Sequence, residues 1–216
     1  MRPRLIALVL VVFAPLAAAA EPPRGRQPAD VATSPRHTFT IEQYDEGSDR
    51  IGTWLRATAD PTVTRRLPDV ALAELDEDSA TAGYQSSFAI SPDERFILRD
   101  QKVYHGGNEA ALYVRVNGLD YRHVAIGKRR LDLAVKRLFA RSVGARFGDG
   151  SEETMGLVEL VSWSGADELV VSLRGNEISG YDVYGWQCTI DLARGRIGVS
   201  SEQRGHNADT FTKREK

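Results

Sequence analysis

An approximate internal repeat constrains this chain more than any other feature. Ser91-Pro92-Asp93-Glu94-Arg95-Phe96-Ile97-Leu98 aligns with Ser164-Gly165-Ala166-Asp167-Glu168-Leu169-Val170-Val171, about 73 residues further on. Each copy is a polar turn that runs into an apolar strand. Each is followed by a polar loop, an alternating strand and a hairpin turn. A chain that repeats such a pattern is expected to be mainly β, built from antiparallel meanders.

Alternation and turn residues extend the reading. Phe39 and Ile41 alternate with Thr38, Thr40 and Glu42, and Ile51, Thr53 and Leu55 alternate after the turn cluster Asp45-Glu46-Gly47-Ser48-Asp49, so a first hairpin is expected. The stretch around Ala71-Leu72-Ala73-Glu74-Leu75 reads as a short helical turn before the acidic loop Asp76-Glu77-Asp78. In the first repeat unit, Leu112, Val114 and Val116 share one strand face. Asn117-Gly118 follows them, a pair expected to turn with φ > 0 at both residues. In the second unit Trp186, Cys188 and Ile190 share a face, and Ala193-Arg194-Gly195-Arg196 turns the chain. Between the units Leu131, Ala134, Val135, Leu138, Phe139 and Ser142 recur at helical spacing. Arg129, Arg130, Lys136, Arg137 and Arg141 fall on the opposite side of the expected helix, and Gly144 is a natural stop.

The Ile90-Ser91-Pro92-Asp93-Glu94-Arg95-Phe96-Ile97 turn and strand, with Leu112-Tyr113-Val114, resemble a blade of the bacterial β-propellers found in periplasmic Tol-system proteins. The second unit keeps Trp163-Ser164 but has Gly165-Ala166 where such blades have Pro-Asp. The resemblance covers about a third of the chain and implies a propeller-like meander. A closed propeller needs about four to eight blades. Two units and a hairpin fall short of that. The expected fold is therefore an antiparallel β meander or sandwich, or an open propeller-like fragment, with one amphipathic helix.

The ends of the chain bear on where it works. Arg2 and Arg4 precede the apolar run Leu5–Phe13, and Ala17-Ala18-Ala19-Ala20 supplies the small residues of a cleavage site, so residues 1–20 read as a Sec-type signal peptide. No cysteine follows the run, so a lipoprotein is not expected. The destination is periplasmic or extracellular, without stable membrane insertion after cleavage. Residues 21–36, with Pro22, Pro23, Pro28 and Pro35, read as a disordered leader. Residues 37–202 read as one β-rich domain, with four-stranded units at about 86–126 and 157–200 and the helix at about 129–143. Residues 203–216 read as a frayed tail.

Composition adds exclusions. With 28 Lys+Arg against 30 Asp+Glu the chain is mildly acidic, which does not suit a nucleic-acid partner. Cys188 is the only cysteine; it is expected to be buried and inert. His37, His105, His123 and His206 are scattered, so neither a metal site nor a cofactor is expected. Asp76-x-Asp78 and Asp149-x-Ser151-x-Glu153 place oxygens at alternate positions but lack the closing residues of a calcium loop, and read as solvated turns. His105-Gly106-Gly107-Asn108 has the look of an oxyanion-binding segment, yet no Gly-x-Ser-x-Gly elbow accompanies it.

Tyr104, His105, Asn108, Tyr181 and Tyr184 follow the inner strands of the two units. Aromatics with Gly and polar neighbours on one loop rim are the makings of a recognition surface. The first expectation is a non-enzymatic envelope protein that binds a protein or glycan through these loops. A hydrolase with a site near His105, Asp100 and Glu109 is the second. Attachment to a membrane surface is the third; it requires the helix to turn its apolar stripe outward.

Overall fold

A computed structural model describes residues 21–47, 50–68, 85–104, 107–126, 130–147 and 156–214. The protein is mainly β, with three antiparallel sheets and two helices among these residues. The first sheet runs in sequence order through β1 (Asp30–Thr33), β2 (Phe39–Gly47), β3 (Arg50–Ala57) and β4 (Thr64–Arg66). The second holds β5 (Ser86–Ile90), β6 (Phe96–Tyr104), β7 (Gly107–Asn117) and β8 (Asp120–Val124). The third holds β9 (Leu157–Trp163), β10 (Glu168–Ile178), β11 (Tyr181–Asp191) and β12 (Arg196–Gly198), with β13 (Phe211–Lys213) also paired to β11. The helices are α1 (Leu131–Ser142) and α2 (Ser201–Asn207).

The second sheet is the middle layer, and its sequence says why. Phe96-Ile97-Leu98 is continuously apolar because both faces of β6 are covered. Phe96, Leu98 and Leu112 pack with α1 and with Leu169, Val171, Trp186, Cys188 and Ile190 of the third sheet. Ile97, Ala111, Tyr113 and Tyr121 point the other way, against Phe39, Ile41 and Leu55 of the first sheet. The opposite face of β2 and β3 sets charged groups beside the buried rings of Tyr44 and Trp54. There Arg56 bonds Glu42 at 2.8 Å, and the Arg66 guanidinium lies 5.8 Å from the Trp54 ring centre. Burial pushes the Glu42 carboxyl up, but hydrogen bonds from Arg56 and Tyr44 outweigh it and hold it below its ordinary value.

Polar clamps close both ends of the junction between the first two sheets. At one end the Gln43 amide replaces a rung of β-ladder: Ser86 N–H donates to its Oε1 at 2.7 Å and its Nε2 donates to Ser86 O at 2.8 Å. Arg99 Nε donates to Ser86 Oγ at 2.9 Å. At the other end Glu94, 1 % exposed, accepts the Arg36 N–H at 2.9 Å and the Thr38 hydroxyl, and pairs with Arg115 at 3.4 Å. Burial raises the Glu94 pKa; bonds from Ser34, Thr38 and Arg36 lower it more, so its net displacement is downward. The next turn joins the third sheet in the same way, through an Arg95–Asp167 ion pair.

The turns reveal a copy of the repeat that the alignment overlooks. Ser34 N–H bonds Phe39 O at 3.0 Å and His37 N–H bonds Ser34 O at 2.9 Å; Ser91 N–H bonds Phe96 O at 2.9 Å and Glu94 N–H bonds Ser91 O at 2.8 Å. Each serine hydroxyl accepts the amide of the first phenylalanine of the next strand. His37 and Glu94 share a left-handed backbone, with φ of 57° and 59°. Ser34-Pro35 thus matches Ser91-Pro92 more closely than Ser164-Gly165 does. The latter turn is one residue tighter, pairing Trp163 with Leu169 where Ile90 pairs with Ile97.

Both chain ends depart from expectation. The leader is not disordered throughout, since Asp30–Thr33 pairs with Thr40–Gln43. The tail is not frayed either. Ser200 and Gln203 form a reciprocal capping box that starts α2. The Asn207 amide then pairs with the Gln187 backbone, accepting from N–H at 2.7 Å and donating to O at 2.8 Å. β12, Asn207 and β13 together cover the length of β11. The Asn-Gly turn also differs: Asn117 is a ladder residue paired with Asp120, and only Gly118 has positive φ, so the turn is Gly118-Leu119. The signal segment, the Ala71–Leu75 stretch, and the Asp76 and Asp149 loops lie outside the described residues.

Candidate functional site

The expected rim lies at the hairpin ends of the sheets, where β6 turns into β7 and β10 into β11. Tyr104 pairs with Gly107 and Lys102 with Asn108 across the first hairpin. His105 and the side chains of Tyr104 and Asn108 lie outside the described residues. In the second hairpin Ser179 and Gly180 take φ of 52° and 84°, the two left-handed residues of a tight turn between Ile178 and Tyr181. Glu177, just before it, is also left-handed at 62°. Gly175 makes this bend possible: a Cβ there would come within 2.7 Å of Gly156 Cα.

The two tyrosines of this hairpin separate. Tyr181 is half-buried, its ring edge-on to Phe139 at 5.9 Å and to Phe211 at 5.7 Å. It caps the core, and the C-terminal Phe211 completes the cluster. Tyr184 is 59 % exposed. It stands opposite Arg174 in the ladder, next to a register shift that turns its side chain out of the core.

A charged cluster joins β7 to the first turn of α1. Arg130 donates to Glu109 Oε1 at 2.7 Å and lies 3.4 Å from Asp132; Lys136 Nζ is 3.9 Å from Asp132. Asp132 and Lys136 are buried. Glu109 Oε2 and Asp132 Oδ1 are buried without a hydrogen-bond partner among the described residues. Burial raises the Glu109 pKa, and the Arg130 charge only partly opposes it. A carboxyl so placed retains its proton to higher pH than a free glutamate. Lys136 falls on the expected solvated basic face but is fully buried, while Arg141 on that face stays exposed.

The apolar stripe of α1 faces inward: Leu131, Val135 and Phe139 are fully buried, which removes the outward face that the membrane-surface reading requires. No described helix is long and apolar enough to cross a membrane. Cys188 is fully buried and its thiol is pushed up to about 12 by desolvation, so it is a core side chain. His123 lies on β8, edge-on to Tyr113 at 5.8 Å. A shallow depression of about 400 Å³ sits at the far end of the third sheet, lined by Ser164, Asp167, Glu168, Asp191 and Arg194.

Sequence reasoning missed the Glu109–Arg130–Asp132–Lys136 cluster as a unit. Asp132 and Lys136 at i,i+4 spacing were the available signal. No known protein-family model matches this chain, and no curated protein matches it.

Proposed function

We propose that the chain is an exported, non-enzymatic binding protein of the bacterial cell envelope, periplasmic or extracellular, built as an open propeller-like stack of three meanders. Its recognition surface is the β10–β11 hairpin end, which binds a protein or a glycan. The observation that carries this reading is Tyr184, a large aromatic left 59 % exposed on a hairpin otherwise pinned by paired backbone. Such a side chain offers area and a hydroxyl at little ordering cost. The test compares capture from envelope extracts and on glycan arrays by the wild-type chain and by Tyr184→Ala. A ligand retained by the wild type and lost by the variant, at equal thermal stability, supports the reading. An unchanged ligand set overturns it.

A hydrolytic reading draws on Glu109, whose raised pKa suits a proton donor. It requires an activity that Glu109→Gln abolishes while the far-UV circular dichroism still shows the native fold.

A further inference from the structure

The C-terminal strand displays the chemistry that the edge of β11 accepts. Tyr184 N–H donates to Thr210 O at 2.7 Å, Val183 pairs with Phe211, Asp182 with Thr212 and Tyr181 with Lys213, and Arg214 N–H donates to Gly180 O at 3.1 Å. The Phe211 ring enters an aromatic seat, edge-on to Phe139 at 5.6 Å and to Tyr181 at 5.7 Å. The Arg214 guanidinium pairs with Glu177 and lies 3.4 Å from Asp182. Thr212 and Lys213, between these anchors, are exposed. A main-chain ladder, an aromatic seat and an acidic clamp are the parts of recognition by strand addition.

We propose that the β11 edge is a strand-addition site for an extended peptide carrying an aromatic residue and, three positions on, an arginine, and that the chain's own tail occupies it in cis. This rests on the reading of the protein as a binding module and names its partner class. β13 is three residues long and is joined to α2 by Ala208, Asp209 and Thr210, the first two exposed. A short tether holds the tail at an effective concentration on the order of millimolar. A partner segment therefore binds weakly until the tail is loosened or outcompeted.

The probe is a fluorescent peptide with the sequence of residues 208–216, titrated by anisotropy into the full chain and into full-length Phe211→Ala. The variant should bind at least tenfold tighter than the wild type, because its own tail no longer holds the seat. Peptides with alanine in place of the phenylalanine, or glutamate in place of the arginine, should bind at least tenfold more weakly. No binding to a folded Phe211→Ala chain, or equal binding of a scrambled peptide, overturns the proposal. If Phe211→Ala does not fold, full-length Arg214→Glu takes its place with the same expected and overturning results. Capture by Tyr184→Ala is read without the peptide, so failure of this site and failure of the general binding reading are separate results.

Discussion

Replacing Glu94 should uncouple the first two sheets. Its carboxylate is 1 % exposed and accepts from the Arg36 amide and the Thr38 hydroxyl while facing Arg115 at 3.4 Å. Two charge-assisted bonds at about 1.5 kcal/mol each set the loss near 3 kcal/mol for Glu94→Ala. Because the Arg115 side chain keeps 26 % of its exposure, it is rehydrated in the variant and the loss stays at the low end for a broken buried pair, about 3 kcal/mol. Glu94→Gly should lose about 1 kcal/mol less, since a side chain at a φ of 59° is itself strained. The acid dependence has a definite sign. The folded pKa lies below the ordinary 4.5, so the carboxylate's contribution is present above 4.5 and lost as pH falls through the folded value. Urea unfolding of wild type, Glu94→Ala, Glu94→Gly and Glu94→Gln at pH 7 and under stepwise acidification measures all of this. A loss under about 0.5 kcal/mol for Glu94→Ala, the size of an ordinary surface change, would refute the clamp. So would a gap between wild type and Glu94→Gln that does not narrow in acid.

Three other substitutions probe separate parts of the account. Gly175→Ala should cost about 2 kcal/mol or more in urea unfolding, since its Cβ would meet Gly156 Cα at 2.7 Å with φ at 153°. Asn207→Ala breaks both amide bonds to Gln187 and should cost about 2 kcal/mol, with faster proteolysis of the tail. Glu109 has a raised folded pKa, so its protonated form stabilises the fold at low pH and that contribution fades as pH rises from 4.5 through the folded value. Glu109→Gln does not titrate. Its stability relative to wild type should therefore climb between pH 4 and pH 7 in parallel thermal melts.

The parts of the fold that were legible in the sequence are those where side chains carry the signal. Alternation at Phe39, Ile41, Leu55, Leu112 and Val114 marks β2, β3 and β7, and the 3.6-residue spacing from Leu131 to Phe139 marks α1. Segments ordered through the backbone left no such trace. β1 holds one bulky apolar residue, Val31, half exposed, and β13 likewise holds only Phe211, the rest of its hold coming from a ladder and from the amide of Asn207 before it. Buried polar groups misled in the same way: a helical wheel sends Lys136 to solvent, and alternation says nothing of Gln43 or Glu94 as clamps. At the rim, Tyr181 and Tyr184 are three residues apart and look alike in sequence. The returning Phe211 and the register shift beside Arg174 send one inward and the other out.

Both described ends of the chain belong to the stacked sheets. Hydrogen exchange, resolved by residue, tests this at the amides of Ala29, Ser34 and Arg214, which bond Gln43 O at 2.7 Å, Phe39 O at 3.0 Å and Gly180 O at 3.1 Å. The structure predicts exchange at these three positions at least a hundredfold slower than in an unfolded chain, on the order expected for paired strands. Exchange at unfolded-chain rates there, with β6 and β10 protected, would contradict it.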